Sequence, residues 1–364
     1  MTTTTQRTSA KKAFILISLV ALIAGLALTC GAREAHASSV WVCNIKTAKG
    51  AMAHSTTQAK RMNLDSSSYT VYPSGDKSGR TDFKALHLVM NKCTTWGQRW
   101  DHRNKKITVR LVPGKTYYIN QTLKLYNNIT FIGTGATLRQ VANGKGVFIN
   151  ALYKSSSDNV GSVRKIGGYK RGHNFVIKGG KYVTTGKPGS TSRSKNGWRF
   201  GYSTFLFMHC NKIRIKDVTI TNNYNGHSIE LAGCANTRIE RCTFNGTYRG
   251  DSTNEVIQLD TTKNSSCSPQ GAPWDGTTTR TTLIDRCKFY VTNCPKGVGT
   301  NNMSTKGYYR VKVTNSTFKV KKYAVALYKV TRGGATGNKI IRGKVLTVKS
   351  PKAVLGKTEK KHRA

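Results

Sequence analysis

Phe205-Leu206-Phe207-Met208-His209-Cys210-Asn211-Lys212-Ile213-Arg214-Ile215 is followed 24 residues later by Ile229-Glu230-Leu231-Ala232-Gly233-Cys234-Ala235-Asn236-Thr237-Arg238-Ile239. The next segment repeats as well. Ile215-Lys216-Asp217-Val218-Thr219-Ile220 matches Ile239-Glu240-Arg241-Cys242-Thr243-Phe244, Ile284-Asp285-Arg286-Cys287-Lys288-Phe289 and Val313-Thr314-Asn315-Ser316-Thr317-Phe318. Each unit is a short strand with alternating apolar residues, a turn, and another strand. A unit this short cannot bury its own apolar face, so it must stack on copies of itself, as in a solenoid. The units are too short and too rich in β-branched residues for helical repeats. They predict an all-β fold, a right-handed parallel β-helix.

Upstream of the repeats the chain divides by composition. Arg7, Lys11 and Lys12 precede an apolar run over residues 13–28, and Ala35-His36-Ala37 is a small-x-small cleavage signal. Residues 1–37 therefore read as a secretory signal peptide, which leaves no membrane span after cleavage and places the protein outside the cell or at its wall. Residues 38–75 show little pattern and read as an irregular N-terminal segment. Residues 76–348 carry the strand pattern, and 349–364 read as a basic tail, disordered at its end.

The chain of 364 residues carries 60 Lys and Arg against 15 Asp and Glu, a formal net charge of +45. Such a field attracts polyanions. With export and no nucleic-acid motif, the expected partner is an acidic polysaccharide or an anionic cell-wall polymer, and nucleic acid is not expected. Eight of the nine cysteines lie beyond the cleavage site: Cys43, Cys93, Cys210, Cys234, Cys242, Cys267, Cys287 and Cys294. Cys210 and Cys234 fall at one place in successive units, and so do Cys242 and Cys287. Stacking brings such pairs near each other, either as disulfides permitted by export or as a ladder of buried thiols. No pair has zinc-site spacing.

Residues 74–82, Ser-Gly-Asp-Lys-Ser-Gly-Arg-Thr-Asp, are turn-rich. Thr81 or Asp82 is placed to cap a following helix over 83–93, which would close the N-terminal end of the solenoid. Then come Val112-Pro113-Gly114-Lys115-Thr116-Tyr117 and Ile132-Gly133-Thr134-Gly135-Ala136-Thr137-Leu138. With residues 75–82, these two motifs resemble the N-terminal cap and first coils of the pectate-lyase and polygalacturonase-like β-helix superfamily. The resemblance covers most of residues 76–328. It implies a parallel β-helix; the superfamily includes hydrolases, lyases, and phage and surface proteins, so it implies no single function. The polygalacturonase elements Asn-x-Asp, Asp-Asp and Arg-x-Lys do not occur as a matching set: Asp-Asp is absent and Arg310-Val311-Lys312 stands alone. Residues 226–233, 255–260 and 295–299 are similar instead to uncharacterised secreted β-helix proteins of Gram-positive bacteria.

Acids are scarce, so their clustering is informative. Glu230, Glu240, Asp251, Glu255, Asp260 and Asp275 fall close together. Aligning Ser228-Ile229-Glu230-Leu231 with Val256-Ile257-Gln258-Leu259 turns Glu230, Gln258 and Asp260 outward on neighbouring coils. His227 falls beside Glu255 just before these strands. Strict alternation turns that pair inward, and a bend is needed to bring it out. With the bend, one face presents His227, Glu230, Glu255 and Asp260 as candidate catalytic groups. Gln258 and the nearby Tyr224, Tyr248, Arg249 and Trp274 are candidate substrate-binding groups. Two carboxylates beside a sugar serve as acid and base. A lyase would instead need a base for the proton alpha to a uronate carboxylate, for which His227, Tyr248 or Arg249 could serve, with a Ca2+ ion on Glu230, Glu255 or Asp260. No cofactor is otherwise expected. Two functions follow: cleavage of an extracellular acidic polysaccharide by hydrolysis or elimination, or non-catalytic binding of a wall polyanion through charge.

Overall fold

The computed structural model describes residues 45–47, 52–53, 68–95, 106–142, 145–150, 167–185, 203–222, 226–246, 255–263, 274–301 and 306–364. All fall within the compact unit Val42–Ala364. The expected signal peptide lies outside the described residues, as do Cys43, Cys267, Tyr224, Tyr248, Arg249 and the side chain of Cys93. No helix among the described residues is long and apolar enough to cross a membrane.

Each coil contributes three short strands, so the β-helix has three faces. One coil consists of Cys210–Lys216, Thr219–Asn222 and Ile229–Ala232. The next is Ala235–Glu240, Thr243–Asn245 and Glu255–Asp260. The first face is a 12-stranded sheet, parallel from Ser68–Val71 to Ala353–Leu355 and edged by antiparallel Ile45–Thr47. The second and third faces merge into one 14-stranded sheet, because Thr317–Tyr328 runs straight through a corner. Its first part pairs with Lys288–Val291 on the second face and its second part with Lys296–Thr300 on the third.

Register follows the repeat. Ile177, Ile215, Ile239, Ile284 and Val313 form one inward column on the first face, all fully buried. On the second face Phe244, Phe289 and Phe318 stack, with centroids 4.8 and 4.5 Å apart. A bend inside each first-face strand repeats as well. Asn174, Lys212, Asn236, Thr281 and Arg310 occupy equivalent positions, and each has a positive φ between 51° and 59°.

The N-terminal end is closed by a helix, α1 (Arg80–Thr95), whose Leu86, Val89 and Met90 are buried. Its start differs from the expected cap. Thr81 and Asp82 lie within the first turn, and capping comes from upstream. Asp76 Oδ1 accepts from Ser78 N, and its Oδ2 accepts from Thr81 N and Thr81 Oγ1. Asp82 instead accepts from Ser74 N and Oγ with one oxygen and from Tyr118 N with the other. It pins α1 to the first coil.

At the other end, residues 349–364 join the last coil, although their composition suggests a tail. Ala353–Leu355 pairs with the first face, and a short helix, α2 (Lys357–Lys361), follows. Its Glu359 is fully buried and accepts from Asn338 N and Nδ2, both at 2.7 Å. The run of lysines hides one buried acid that anchors the segment.

Cys210, Cys234, Cys242, Cys287 and Cys294 are buried and free, so these five form no disulfide. The stacking of Cys210 on Cys234 and of Cys242 on Cys287 is as the repeat requires. Coils about 4.8 Å apart hold parallel side chains wider than the ~3.8 Å Cβ separation typical of a disulfide. Each thiol satisfies itself on a carbonyl: Cys210 Sγ on Met208 O at 3.1 Å, Cys242 Sγ on Glu240 O at 3.3 Å.

Candidate functional site

The outer side of the third face carries the site. Strands Phe205–Met208, Ile229–Ala232, Glu255–Asp260 and Lys296–Thr300 stack in parallel, aligning Leu206, Glu230, Gln258 and Gly299 in one outward column. The bend required for His227 and Glu255 is present. Ser228 and Ile229 are both fully buried, as are Val256 and Ile257. Two consecutive inward residues break the alternation, so the residue before each pair turns outward. The Glu255 side chain lies over Gly299: a Cβ added to Gly299 would meet Glu255 Cγ at 2.5 Å. The repeat therefore places Ser203, His227, Glu255 and Lys296 in a second outward column beside the first.

The polar contacts tie these columns together. Ser203 Oγ donates to Glu230 Oε2 at 2.6 Å. His227 Nδ1 lies 2.7 Å from the Glu255 carbonyl oxygen and 3.7 Å from its Oε2. A carbonyl only accepts, so Nδ1 carries the proton and Nε2 is left with the lone pair in the neutral ring. Lys296 Nζ donates to Glu255 Oε1 at 2.7 Å. Glu255 Oε2 is buried with no hydrogen-bond partner. Asp260 is buried, accepts from Thr261 N at 2.7 Å and lies 3.5 Å from Lys263 Nζ.

Burial pushes the Glu230 carboxyl above its usual range, with support from Asp260 and against His227, Ser203 and Lys263. A carboxyl so raised retains its proton to higher pH, the property of a general acid. Two positions along the strand and one coil across place the Cβ atoms of Glu230 and Asp260 about 8 Å apart.

The structure thus brings His227, Glu230, Glu255, Gln258 and Asp260 to one face. Trp274 is 49% exposed and flanks the Asp260 end, next to a hairpin in which Thr261 bridges Thr278. Asp275 fastens that hairpin: it accepts from Thr262 Oγ1, Thr277 N and Gly168 N. These hydrogen bonds outweigh its burial and hold its carboxyl well below the usual range. Ser203 and Lys296 were missed in the sequence, although each lies on the His227 column. Ser203 stands 24 residues before His227, one repeat away.

A Ca2+ ion is expected on Glu230, Glu255 or Asp260 if the reaction is elimination. Among the described residues no three ligating side chains converge, and Lys296 and Lys263 already sit against Glu255 and Asp260.

No protein-family model and no curated protein matches the chain. Among solved structures, the surface adhesin PfbA of Streptococcus pneumoniae aligns with a TM-score of 0.52 and 16% identity, over 72% of this chain and 62% of that one. A second structure of that adhesin aligns at 0.48 with 17% identity, over 69% of this chain and 62% of that one. The endo-xylogalacturonan hydrolase of Aspergillus tubingensis aligns at 0.23 with 10% identity, over 79% of this chain and 98% of that one. The first likeness shows the shared β-helix fold; the other two carry no argument. The chain spans less than two thirds of the length of the adhesin structures.

Proposed function

We propose that this is an extracellular β-helix protein that cleaves an acidic polysaccharide by acid–base chemistry on the outer third face. One observation carries the reading: the broken alternation turns His227 outward beside Glu230, whose carboxyl is raised above its usual range by burial. In this reading Glu230 donates its proton to the glycosidic oxygen as it leaves. The free Nε2 of His227, or Asp260, takes a proton from water or from the sugar carbon next to a uronate carboxylate. Glu255 is a positioning residue, because its carbonyl fixes the His227 tautomer and its carboxylate is neutralised by Lys296. Lys263, beside Asp260, supplies positive charge toward a uronate.

The test is a screen of full-length, signal-free protein on uronate polymers and neutral glycans. It reads new reducing ends and the absorbance of unsaturated products. Cleavage of a uronate polymer is the expected result, and the absorbance separates elimination from hydrolysis. Tight binding of the polymers with no cleavage of any of them would overturn the enzymatic reading. It would favour the second one, a non-catalytic polyanion binder, which the net charge of +45 supports.

A further inference from the structure

A second groove, of about 940 Å³, lies on the outer side of the first face near its C-terminal end. Its lining includes Tyr309, Lys312, Arg332, Lys352 and Val354. Lys312, Gly334 and Val354 form one column across three coils, and Tyr309 pairs with Arg332. Gly333 and Gly334 make the floor, with φ of 130° and 139°. A Cβ at either would collide with the Val311 or Val354 carbonyl oxygen, so the floor is bare backbone.

The chemistry of this groove differs from that of the third face. No lining residue is acidic. Among the described residues, Lys312, Arg332 and Lys352 pair with no carboxylate; the ion pairs there take Glu240, Asp217, Asp260, Asp285 and Glu255. Asp285, which the lining residue Thr314 contacts, is occupied by Thr314 Oγ1, Asn315 Nδ2 and Arg286 Nε. Tyr309 is 41% exposed, with the Arg310 guanidinium 5.2 Å from its ring centroid. Arg332 hydrogen-bonds its hydroxyl and, with Arg310, holds the phenol below its usual range. Unpaired cations, an exposed ring and hydroxyls from Thr331 and Thr336 suit a ligand that has both carboxylates and sugar faces. The volume is at the top of the range for small-molecule sites, roughly 300–1,000 Å³, and fits an oligomer segment rather than a single ion. Tyr309 stands without a second aromatic in the lining, unlike the repeated stacking platforms of single-stranded nucleic-acid grooves.

We infer that the groove between Tyr309, Lys312, Arg332 and Lys352 is a non-catalytic binding site for a uronic-acid-containing oligosaccharide. It holds the polymer at a place on the β-helix separate from the third-face acids. It has no carboxylate of its own, and its loss is expected to weaken binding without abolishing cleavage on the third face.

The test is calorimetric titration of full-length, signal-free protein carrying Glu230→Gln, so that no probe is cleaved. The probes are a galacturonic acid hexamer, neutral cellohexaose, polyphosphate and a single-stranded oligodeoxynucleotide. The hexamer is expected to bind more tightly than cellohexaose. Tyr309→Ala and Arg332→Ala should each weaken hexamer binding about tenfold, the loss of one charge-assisted contact. Both positions are at the surface, and unchanged denaturant midpoints will show that the fold is intact. Unchanged hexamer affinity in both variants would overturn the site. So would tighter binding of polyphosphate or the oligonucleotide that the same two substitutions weaken, which would assign the groove to phosphate-bearing polymers. Hexamer binding lost in Tyr309→Ala upholds the groove even if the wild type cleaves nothing, so failure here is distinct from failure of the proposed activity.

Discussion

Thr281 shows how the repeat constrains a single residue. It has φ 51° at a bend within the first-face strands where Asn174 and Asn236 hold the same backbone. The left-handed conformation costs most L-residues about 1–2 kcal/mol, and a β-branched side chain fits it poorly, whereas Asn tolerates it. Thr281→Asn is therefore expected to raise stability by about 1 kcal/mol, read as a higher urea midpoint; a lower midpoint would contradict this account. Glu230 makes a pH-dependent prediction. Its folded carboxyl is raised, so its protonated form favours the fold. That contribution is full below the usual Glu range and is lost as pH rises through the raised folded value. Glu230→Gln should be increasingly more stable than wild type as pH rises above the usual Glu range, about 4.3. A difference that does not change with pH would show that the burial of Glu230 has no such effect.

At the scale of elements, the strands and their stacking were legible and the ends were not. Period-two alternation and the repeat name the inward residues of the coils because packing and pattern agree there. The pattern could not show where alternation breaks. Ser228 and Val256 look like ordinary strand residues, yet their burial next to Ile229 and Ile257 creates the outward positions of His227 and Glu255. The start of α1 was misread because Thr81 and Asp82 are good cap residues whose partners lie elsewhere. Asp76 does the capping; burial opposes its ionisation, but hydrogen bonds from Ser78 and Thr81 bring its carboxyl down to about 2. Asp76→Ala should cost about 1–2 kcal/mol, in the range of a lost helix cap. The wild-type contribution is present above the ordinary Asp value and is lost as pH falls toward about 2, so acid titration should narrow the gap between the two proteins. A gap that does not change with pH would mean that the hydrogen bonds of Asp76 contribute nothing. The thiol ladder is tested by non-reducing alkylation in denaturant. All five of Cys210, Cys234, Cys242, Cys287 and Cys294 should be modified, and any one of them found in a disulfide would contradict the described packing.

For the whole molecule, the sequence showed a charged solenoid but not where its charge is used. Lysine and arginine are spread along the chain, and only the stacked coils sort them. Lys296 and Lys263 neutralise acids on the third face, while among the described residues Lys312, Arg332 and Lys352 pair with no carboxylate around a groove on the first. Arg310-Val311-Lys312 was visible as a motif fragment, but Arg332 and Lys352 join it only through register. The third-face acids were legible because acids are rare in this chain; alternation alone turned Glu230 and Asp260 outward, whereas Glu255 needed the break in alternation. The most direct measurement of the central claim is the initial rate of Glu230→Gln against wild type on the uronate polymer that the screen identifies, with both proteins shown folded by denaturant titration. The account predicts a loss of ~100-fold or more in rate with the fold intact, and an unchanged rate would contradict it.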